Sequence, residues 1–450
     1  MAPPPPTPTS ALTAQPPKIN TEEPLKIHAE YLPNIRQVSV QIAISRETSN
    51  PPEISLSESR RAVTVSATLA GFGSGSEPDY VSETIKLPAR VKEGSRRLLG
   101  GAGAGAGADA REFSYRLQVD DAELPKRDAL EEHLDSFVPW SAGDMAPSTQ
   151  LRCAQCESFI LDASTGKSDA PGPEQIDVCW AWKDLPSGNW AEMMDFWHCH
   201  KPDPPKERDA DGKEIEDANS KVKGYGASNQ VLATPGTVLV DVATFLVADT
   251  DCKNLHKATK ERTDNSHLPP EVELVCDKCN TLIGVEDTVA QGWRLFKTSL
   301  AASLPSTEPA DGLNWEKHPT ELVVAAQLLE LIERESARRF VIHCEKKDGI
   351  LVWVFNPDMR YSNASTQHSI TSQRAMKVFF QAAAEVGNML HPEPGKASPL
   401  SLEELRLPVD TYEALVAALE ASNQMTPPSA RTFQKDWRVG ILHRFERLKR

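Results

Sequence analysis

Apolar and polar residues alternate with a period of two in four stretches of the first 120 residues. Ile35 to Ile44 carries Val38, Val40 and Ile42 on one face, and Ala62 to Leu69, Val81 to Leu87 and Phe113 to Val119 repeat the pattern. Such alternation sets one face of a strand against a core. Thr237 to Ala248, TVLVDVATFLVA, is a nearly continuous apolar run suited to a buried strand. Beyond Gly292 the pattern becomes mixed. Trp293 to Leu300 alternates like a strand, and Thr320 is placed to cap a helix whose buried face carries Leu322, Ala325, Ala326, Leu329 and Ile332. Phe340 to Cys344 and Ile350 to Phe355 read as strands joined through Asp348-Gly349, a hairpin dipeptide. Ser372 is placed to cap a helix carrying Met376, Phe379 and Phe380, and a further helix spans about Val409 to Leu419.

These elements predict an α+β protein with a strand-rich N-terminal half, a cysteine-knuckle region and a mixed α+β C-terminal part. Residues 1–20 are a Pro/Thr-rich tail, expected to be disordered. Residues 21–150 form a β-rich region interrupted by the low-complexity insert 100–110, GGAGAGAGADA, which reads as a flexible loop. Residues 151–290 hold the cysteine pairs, a Trp-rich stretch and a highly charged loop over 201–232 that is expected to be disordered. Residues 291–450 form the α+β part.

Charge narrows the partners. The chain of 450 residues carries 64 acidic and 49 Lys or Arg side chains, a formal charge of −15. That balance disfavours sequence-independent contact with phosphate backbones, so no direct nucleic-acid partner is expected. The basic C-terminal stretch QKDWRVGILHRFERLKR reads as a solvated helix end. No apolar stretch follows the initial Met as a secretion signal would, and none approaches the roughly 18 residues of a membrane span. The expected location is cytoplasmic and/or nuclear, where cysteines are reduced and paired cysteines read as metal sites.

Two pairs fit that reading. Cys153-Ala-Gln-Cys156 is followed by Ile160, and Cys276-Asp-Lys-Cys279 by Ile283 at the same spacing. Each resembles a knuckle in which two thiolates sit on a tight turn ahead of a strand, and two knuckles supply the four sulfurs of a tetrahedral zinc. The expected role is structural, because a closed four-cysteine site leaves no position open for chemistry. Cys252 and His256 lie in a polar segment nearby. They could add ligands or be a coincidence of the loop.

The Trp-rich stretch runs from Cys179 to Asp203 and holds four of the nine tryptophans. Asn189 is a good N-cap with Glu192 three residues on, and Trp190, Met193, Met194 and Trp197 then define one apolar face of a short helix. His198-Cys199-His200 falls at its carbonyl end, the negative pole, which opposes a thiolate and suits metal ligation or packing better than nucleophilic attack. Trp190, Trp197, His198, Cys199 and His200 are therefore the candidate partner contacts; an ordinary core face ending in a tight turn gives the same pattern. Cys344, the other candidate for catalysis beside Cys199, shares its strand face with Ile342 and Phe340 and is expected to be a buried, unreactive thiol, with His343 on the opposite face.

Four segments carry a family resemblance in their order along the chain: LRCAQCESFI, LPSGNWAEMMDFWHCHKPD, ELVCDKCNTLIG, and VFNPDMRYS with the following AMKVFFQ. They resemble the HECT-like ubiquitin-conjugating-enzyme-binding family of ubiquitin ligases over about residues 150–445, with a weaker strand-rich N-terminal part. The resemblance implies a ligase that binds a ubiquitin-conjugating enzyme and promotes substrate ubiquitination. Ordinary HECT ligases carry their acceptor cysteine near the chain end, whereas no cysteine follows Cys344 here. The resemblance also implies an alternative, a non-catalytic protein that inhibits or assembles the zinc-dependent endonuclease of mRNA 3′-end processing, with Cys199 offered to the partner's metal.

Overall fold

The computed structural model describes residues 24–48, 50–70, 79–95, 99, 111–123, 137–163, 179–185, 231–260, 271–304, 314–345, 347–364, 372–391 and 402–447. Among them the chain is strand-rich with few helices, in line with the α+β expectation. It begins with β1 (Leu25–Leu32), β2 (Gln37–Ile44), β3 (Glu53–Leu56), β4 (Ala62–Leu69), β5 (Asp79–Lys86) and β6 (Glu112–Gln118). The middle comprises β7 (Leu151–Cys153), β8 (Phe159–Leu161), β9 (Ala181–Asp184), β10 (Thr237–Val240), β11 (Thr244–Val247), β12 (Leu255–Lys260), β13 (Glu271–Cys276), β14 (Leu282–Asp287), β15 (Gly292–Phe296), β16 (Leu300–Leu304) and β17 (Asn314–Glu316). Then follow α1 (Thr320–Glu335), β18 (Arg339–Glu345), β19 (Asp348–Ala364), β20 (Gln373–Ala384), α2 (Val386–Leu390), β21 (Leu402–Arg406), α3 (Val409–Met425), β22 (Thr432–Phe433) and β23 (Trp437–His443).

One sheet joins the two ends of the chain. Its order is β22-β23-β20-β19-β1-β2-β6, with β18 also on β19 and β21 parallel to β18. The strand β19 is 17 residues long, enough to pair with β18 along its first half and with β1 along its second. It bends between the halves, where the register with β20 shifts around Asn356-Pro357-Asp358; Pro357 has no N–H to give the ladder. The sheet therefore crosses the sequence divisions at 150 and 290. At its N-terminal end β3, β4 and β5 cover it, closing a core of Ile27, Val38, Val40, Ile42, Val63, Val65, Ile85 and Leu117. At the other end α1 and α3 lay Val324, Leu328, Leu415 and Leu419 on Phe340, Ile342, Met376 and Val378. Two further sheets are formed by the middle of the chain, a seven-stranded one, β12-β13-β14-β15-β11-β10-β9, and a four-stranded one, β17-β16-β7-β8.

All four expected N-terminal strands form; β4 alternates half-buried and buried residues over its full length, whereas β2 buries Ser39 and Ala43 as well as Val38, Val40 and Ile42, and most of β5 is exposed. Several expectations need correction. The segment after Ser372 is the strand β20, not a helix: Met376 and Phe380 face the helices while Phe379 stacks on Phe433 at 4.3 Å. Apolar residues spaced three and four apart also occur on a central strand covered on both faces. The basic C-terminal stretch is likewise no helix end, because Val439, Ile441 and Leu442 are buried in β23. The run from Thr237 splits into β10 and β11 around Asp241, whose carboxylate accepts the Val242 N–H and the Thr244 hydroxyl. The strand at Trp293 stops at Phe296, in α1 Leu322 and Ile332 are half-buried, and α3 runs on to Met425.

The hairpin of β18 and β19 is present, but Asp348-Gly349 lies inside β19, with Gly349 opposite His343. A Cβ on Gly349 would sit 2.5 Å from the carbonyl oxygen of Ile342. The glycine permits a close backbone approach rather than the turn. Gly349→Ala is accordingly expected to cost about 1–3 kcal/mol, as overpacking does, read as a lower urea midpoint. An unchanged midpoint would contradict this account.

Candidate metal centre

The two cysteine pairs close two turns built alike. In the first, between β7 and β8, Glu157 takes a left-handed φ of 63°, its N–H donates to the Cys153 carbonyl at 3.0 Å, and the Cys153 N–H donates to Ser158 at 2.8 Å. In the second, between β13 and β14, Asn280 has φ 58°, its N–H donates to the Cys276 carbonyl at 2.9 Å, and the Cys276 N–H donates to Thr281 at 3.0 Å. The left-handed residue turns the backbone so that both sulfurs of a pair point the same way.

The two turns meet face to face. Sγ of Cys153 lies 3.6 Å from that of Cys279, Sγ of Cys156 lies 3.5 Å from that of Cys276, and all four sulfurs fall within 4.8 Å of one another. Four sulfurs on a tetrahedral zinc at about 2.3 Å would stand roughly 3.8 Å apart, so the donor set fits such an ion with little rearrangement. Cys153 and Cys276 are buried among Leu151, Ile160, Leu274, Ile283 and Leu300, while Cys156 and Cys279 are half-buried. Burial pushes the Cys153 thiol up to about 12 and raises Cys276 as well. Burial also acts upward on Cys156, but hydrogen bonds from Ser158 and the neighbouring thiols outweigh it and bring this group down to about 6. Thiols this close share their protons, and a soft cation that displaces them relieves the crowding. The cysteine cluster brings the four-stranded sheet against the seven-stranded one, where Lys278 Nζ also donates to the Cys156 carbonyl at 3.3 Å.

Cys252 and His256 do not join the cluster. Cys252 is half-buried on the same core, and burial together with the carboxylates of Asp251 and Asp249 pushes its thiol up, which makes it a poor nucleophile. His256 is exposed, with Nδ1 2.7 Å from an Asp277 carboxylate oxygen. Cys344 departs from the expectation of a buried thiol. The register slips between His343 and Glu345, and the bulge leaves Cys344 half-buried in a cleft of about 170 Å³ shared with Glu273, Arg406 and Val409. It is His343 that is fully buried, with Nε2 2.8 Å from Glu404 Oε1. Trp190, Trp197, His198, Cys199 and His200, with the charged loop that follows, lie outside the described residues. The start of the Trp-rich stretch is within them: Trp180 is buried in the core that holds the four cysteines, and Trp182 meets Phe245 edge-on at 5.8 Å.

Sequence reasoning missed the hydroxyls beside the sulfurs. Cys156 Sγ and Ser158 Oγ lie 3.3 Å apart, and Cys279 Sγ and Thr281 Oγ1 3.1 Å. The sign was present, since each pair is followed two residues later by a hydroxyl residue. It also missed that VFNPDMRYS is an anchor. Asp358 takes Arg374 at 2.6 and 2.9 Å and Arg444 at 3.0 Å, and both guanidiniums lie over the Phe137 ring at 4.3 and 4.4 Å.

Comparison with known proteins places these features together. The family described as HECT-like ubiquitin-conjugating enzyme (E2)-binding matches residues 30–439, which include both cysteine turns and most of the sheet that joins the ends of the chain. An uncharacterized protein of Saccharomyces cerevisiae is 23% identical over 280 residues, 62% of this chain and 65% of that protein. An uncharacterized protein of Schizosaccharomyces pombe is 24% identical over 323 residues, 69% of this chain and 78% of its own length. No solved structure matches.

Proposed function

The chain belongs to the HECT-like ubiquitin-conjugating enzyme (E2)-binding family, and from this premise we propose that it is a ubiquitin ligase that binds a ubiquitin-conjugating enzyme and promotes ubiquitination of substrates on a zinc-stapled scaffold. The observation that carries the reading is the extent of the family match, from β1 into β23. The zinc is assigned to Cys153, Cys156, Cys276 and Cys279, whose donor set and spacing support it. Bound there it would supply structure and no reaction, because four protein ligands complete its shell.

The ligase acts by holding the charged conjugating enzyme near the acceptor rather than by taking ubiquitin onto its own sulfur. Of the eight cysteines four are assigned to the metal, Cys179 is exposed, and Cys199 lies outside the described residues, so the adduct assay below is what speaks for these last two. Cys252 is held protonated by its surroundings, and Cys344 sits in a cleft narrower than the roughly 300–1,000 Å³ of sites that enclose a small ligand. Two assays test the proposal. Binding of the full chain to a panel of ubiquitin-conjugating enzymes should give at least one partner, and mixing with that enzyme charged with ubiquitin should speed discharge without a reductant-sensitive adduct on this chain. Cys344→Ala should bind and discharge as wild type does. Absence of any binding partner across the panel would overturn the function, and an adduct lost in Cys344→Ala would overturn the mechanism.

A further inference from the structure

The two cysteine turns share their backbone path but few side chains beyond their ligands. Between Cys153 and Ile160 the sequence is AQCESF, and between Cys276 and Ile283 it is DKCNTL. Apart from the second cysteine and the apolar residue that ends each segment, the polar group common to both is a hydroxyl two residues after the cysteine, Ser158 in one and Thr281 in the other. Both hydroxyls stand beside the sulfur of that second cysteine, at 3.3 and 3.1 Å. These are the half-buried sulfurs, Cys156 and Cys279, whereas Cys153 and Cys276 are buried.

The division has an electrostatic reason. Four thiolates on a divalent ion carry a formal charge of −2 into a core of Leu, Ile and Trp side chains. Main-chain N–H groups meet part of it: those of Gln155 and Cys156 point at the Cys153 sulfur, those of Lys278 and Cys279 at the Cys276 sulfur, and that of Ser158 at the Cys156 sulfur, which leaves the side-chain hydroxyls as the further donors on the outer pair. The outer cysteines, Cys156 and Cys279, are only half-buried. A metal-bound thiolate has no proton to donate, so each neighbouring hydroxyl has to be the donor. Such a bond orients the sulfur and draws charge from it, as groups behind metal ligands do.

We infer that Ser158 and Thr281 are positioning residues of the zinc site, and that by donating to the two outer thiolates they set how long the protein keeps its metal. The inference rests on the zinc reading above. It predicts that both hydroxyls act on metal retention and leave the fold in place, since neither is needed to close its turn.

The test is zinc transfer from the purified full-length protein to the chelator 4-(2-pyridylazo)resorcinol, followed by absorbance. Ser158→Ala and Thr281→Val should each hold one zinc at the start and lose it about tenfold faster than wild type, the low end for groups behind a ligand. Loaded with Co²⁺ instead, they should shift the sulfur-to-metal charge-transfer band, which loss of packing alone would not move. Ser158→Thr and Thr281→Ser keep the donor and should release zinc at the wild-type rate. Wild-type release from Ser158→Ala and Thr281→Val, or fast release from the two donor-keeping variants, would overturn the inference and leave the zinc reading standing. Wild-type protein purified without zinc would overturn both.

Discussion

Cys276→Ser is expected to empty the metal site and lower the melting temperature by 10 °C or more. Zinc held by thiolates contributes its binding free energy to folding, about 10–16 kcal/mol in small zinc peptides. A domain is typically stable by only about 5–15 kcal/mol, so losing even a third of that contribution is severe. The effect should be large at this position because Cys276 is fully buried, closes β13, and holds one of two sheets that the centre joins. A serine oxygen at the same place ligates poorly and leaves three crowded sulfurs. Cys252→Ser, on the same core but outside the cluster, should cost about 1 kcal/mol, an ordinary single substitution. The check is zinc per chain by elemental analysis together with thermal denaturation. One zinc per chain and a wild-type melting temperature in Cys276→Ser would remove the metal from the account of stability.

The second large effect is loss of stability in mild acid. Burial holds two histidines well below their usual range. For His28 burial is opposed by Glu30 and reinforced by Lys377, and its pKa falls to about 4; His318, also at about 4, is held down by burial and then by Lys297, against Asp144. Both are neutral in the folded chain at pH 6 and charged in the unfolded one. Between about pH 6.5 and 4 the unfolded state therefore binds more protons, and stability falls as pH falls through that window. At about 1.4 kcal/mol per unit each histidine accounts for roughly 3 kcal/mol over the full window. Metal release also follows acid, so the test is a difference. His318 lies against Trp140 at 4.8 Å and Phe445 at 5.2 Å, and His318→Phe keeps an aromatic ring there while removing the titration. Going from pH 7 to pH 5, this variant should lose roughly 2 kcal/mol less than wild type in urea unfolding. Equal losses would show that His318 is charged, or free to become so, in the native protein.

What the sequence disclosed was local, and what it hid depended on distant strands. The period of two at Val38, Val40 and Ile42 is written into one strand and needs no partner to be read. The same holds for Cys-x-x-Cys, where a four-residue turn sets both sulfurs. In contrast, Met376, Phe379 and Phe380 fit a helix or a strand equally well, and only β19 on one side and β23 on the other decide between them. β23 itself was masked by the arginines that flank its apolar residues. Cys344 was misplaced because a single bulge reverses the alternation that assigned its face. Ser158 and Thr281 were overlooked because hydroxyl residues in turns are common, and their relation to the sulfurs emerges only when the two turns are superposed. The contact set from Trp190 to His200 rests on local pattern alone, and mutagenesis of Cys199 against binding of a conjugating enzyme is the direct way to examine it.

The pairing of β1 with β19 also sets a timetable for synthesis. Ile27 meets Ala364, more than three hundred residues later in the chain. At a translation rate of about 5–20 residues per second, the first strand leaves the ribosome on the order of 20–70 s before its neighbour exists. β2 arrives early and can occupy one edge of β1, but the other edge, on a strand with five of its eight residues buried in the finished protein, stays open for that interval. The N-terminal sandwich is thus contiguous in sequence but unfinished in time, and its last hydrogen bonds wait for nearly the whole chain to be made.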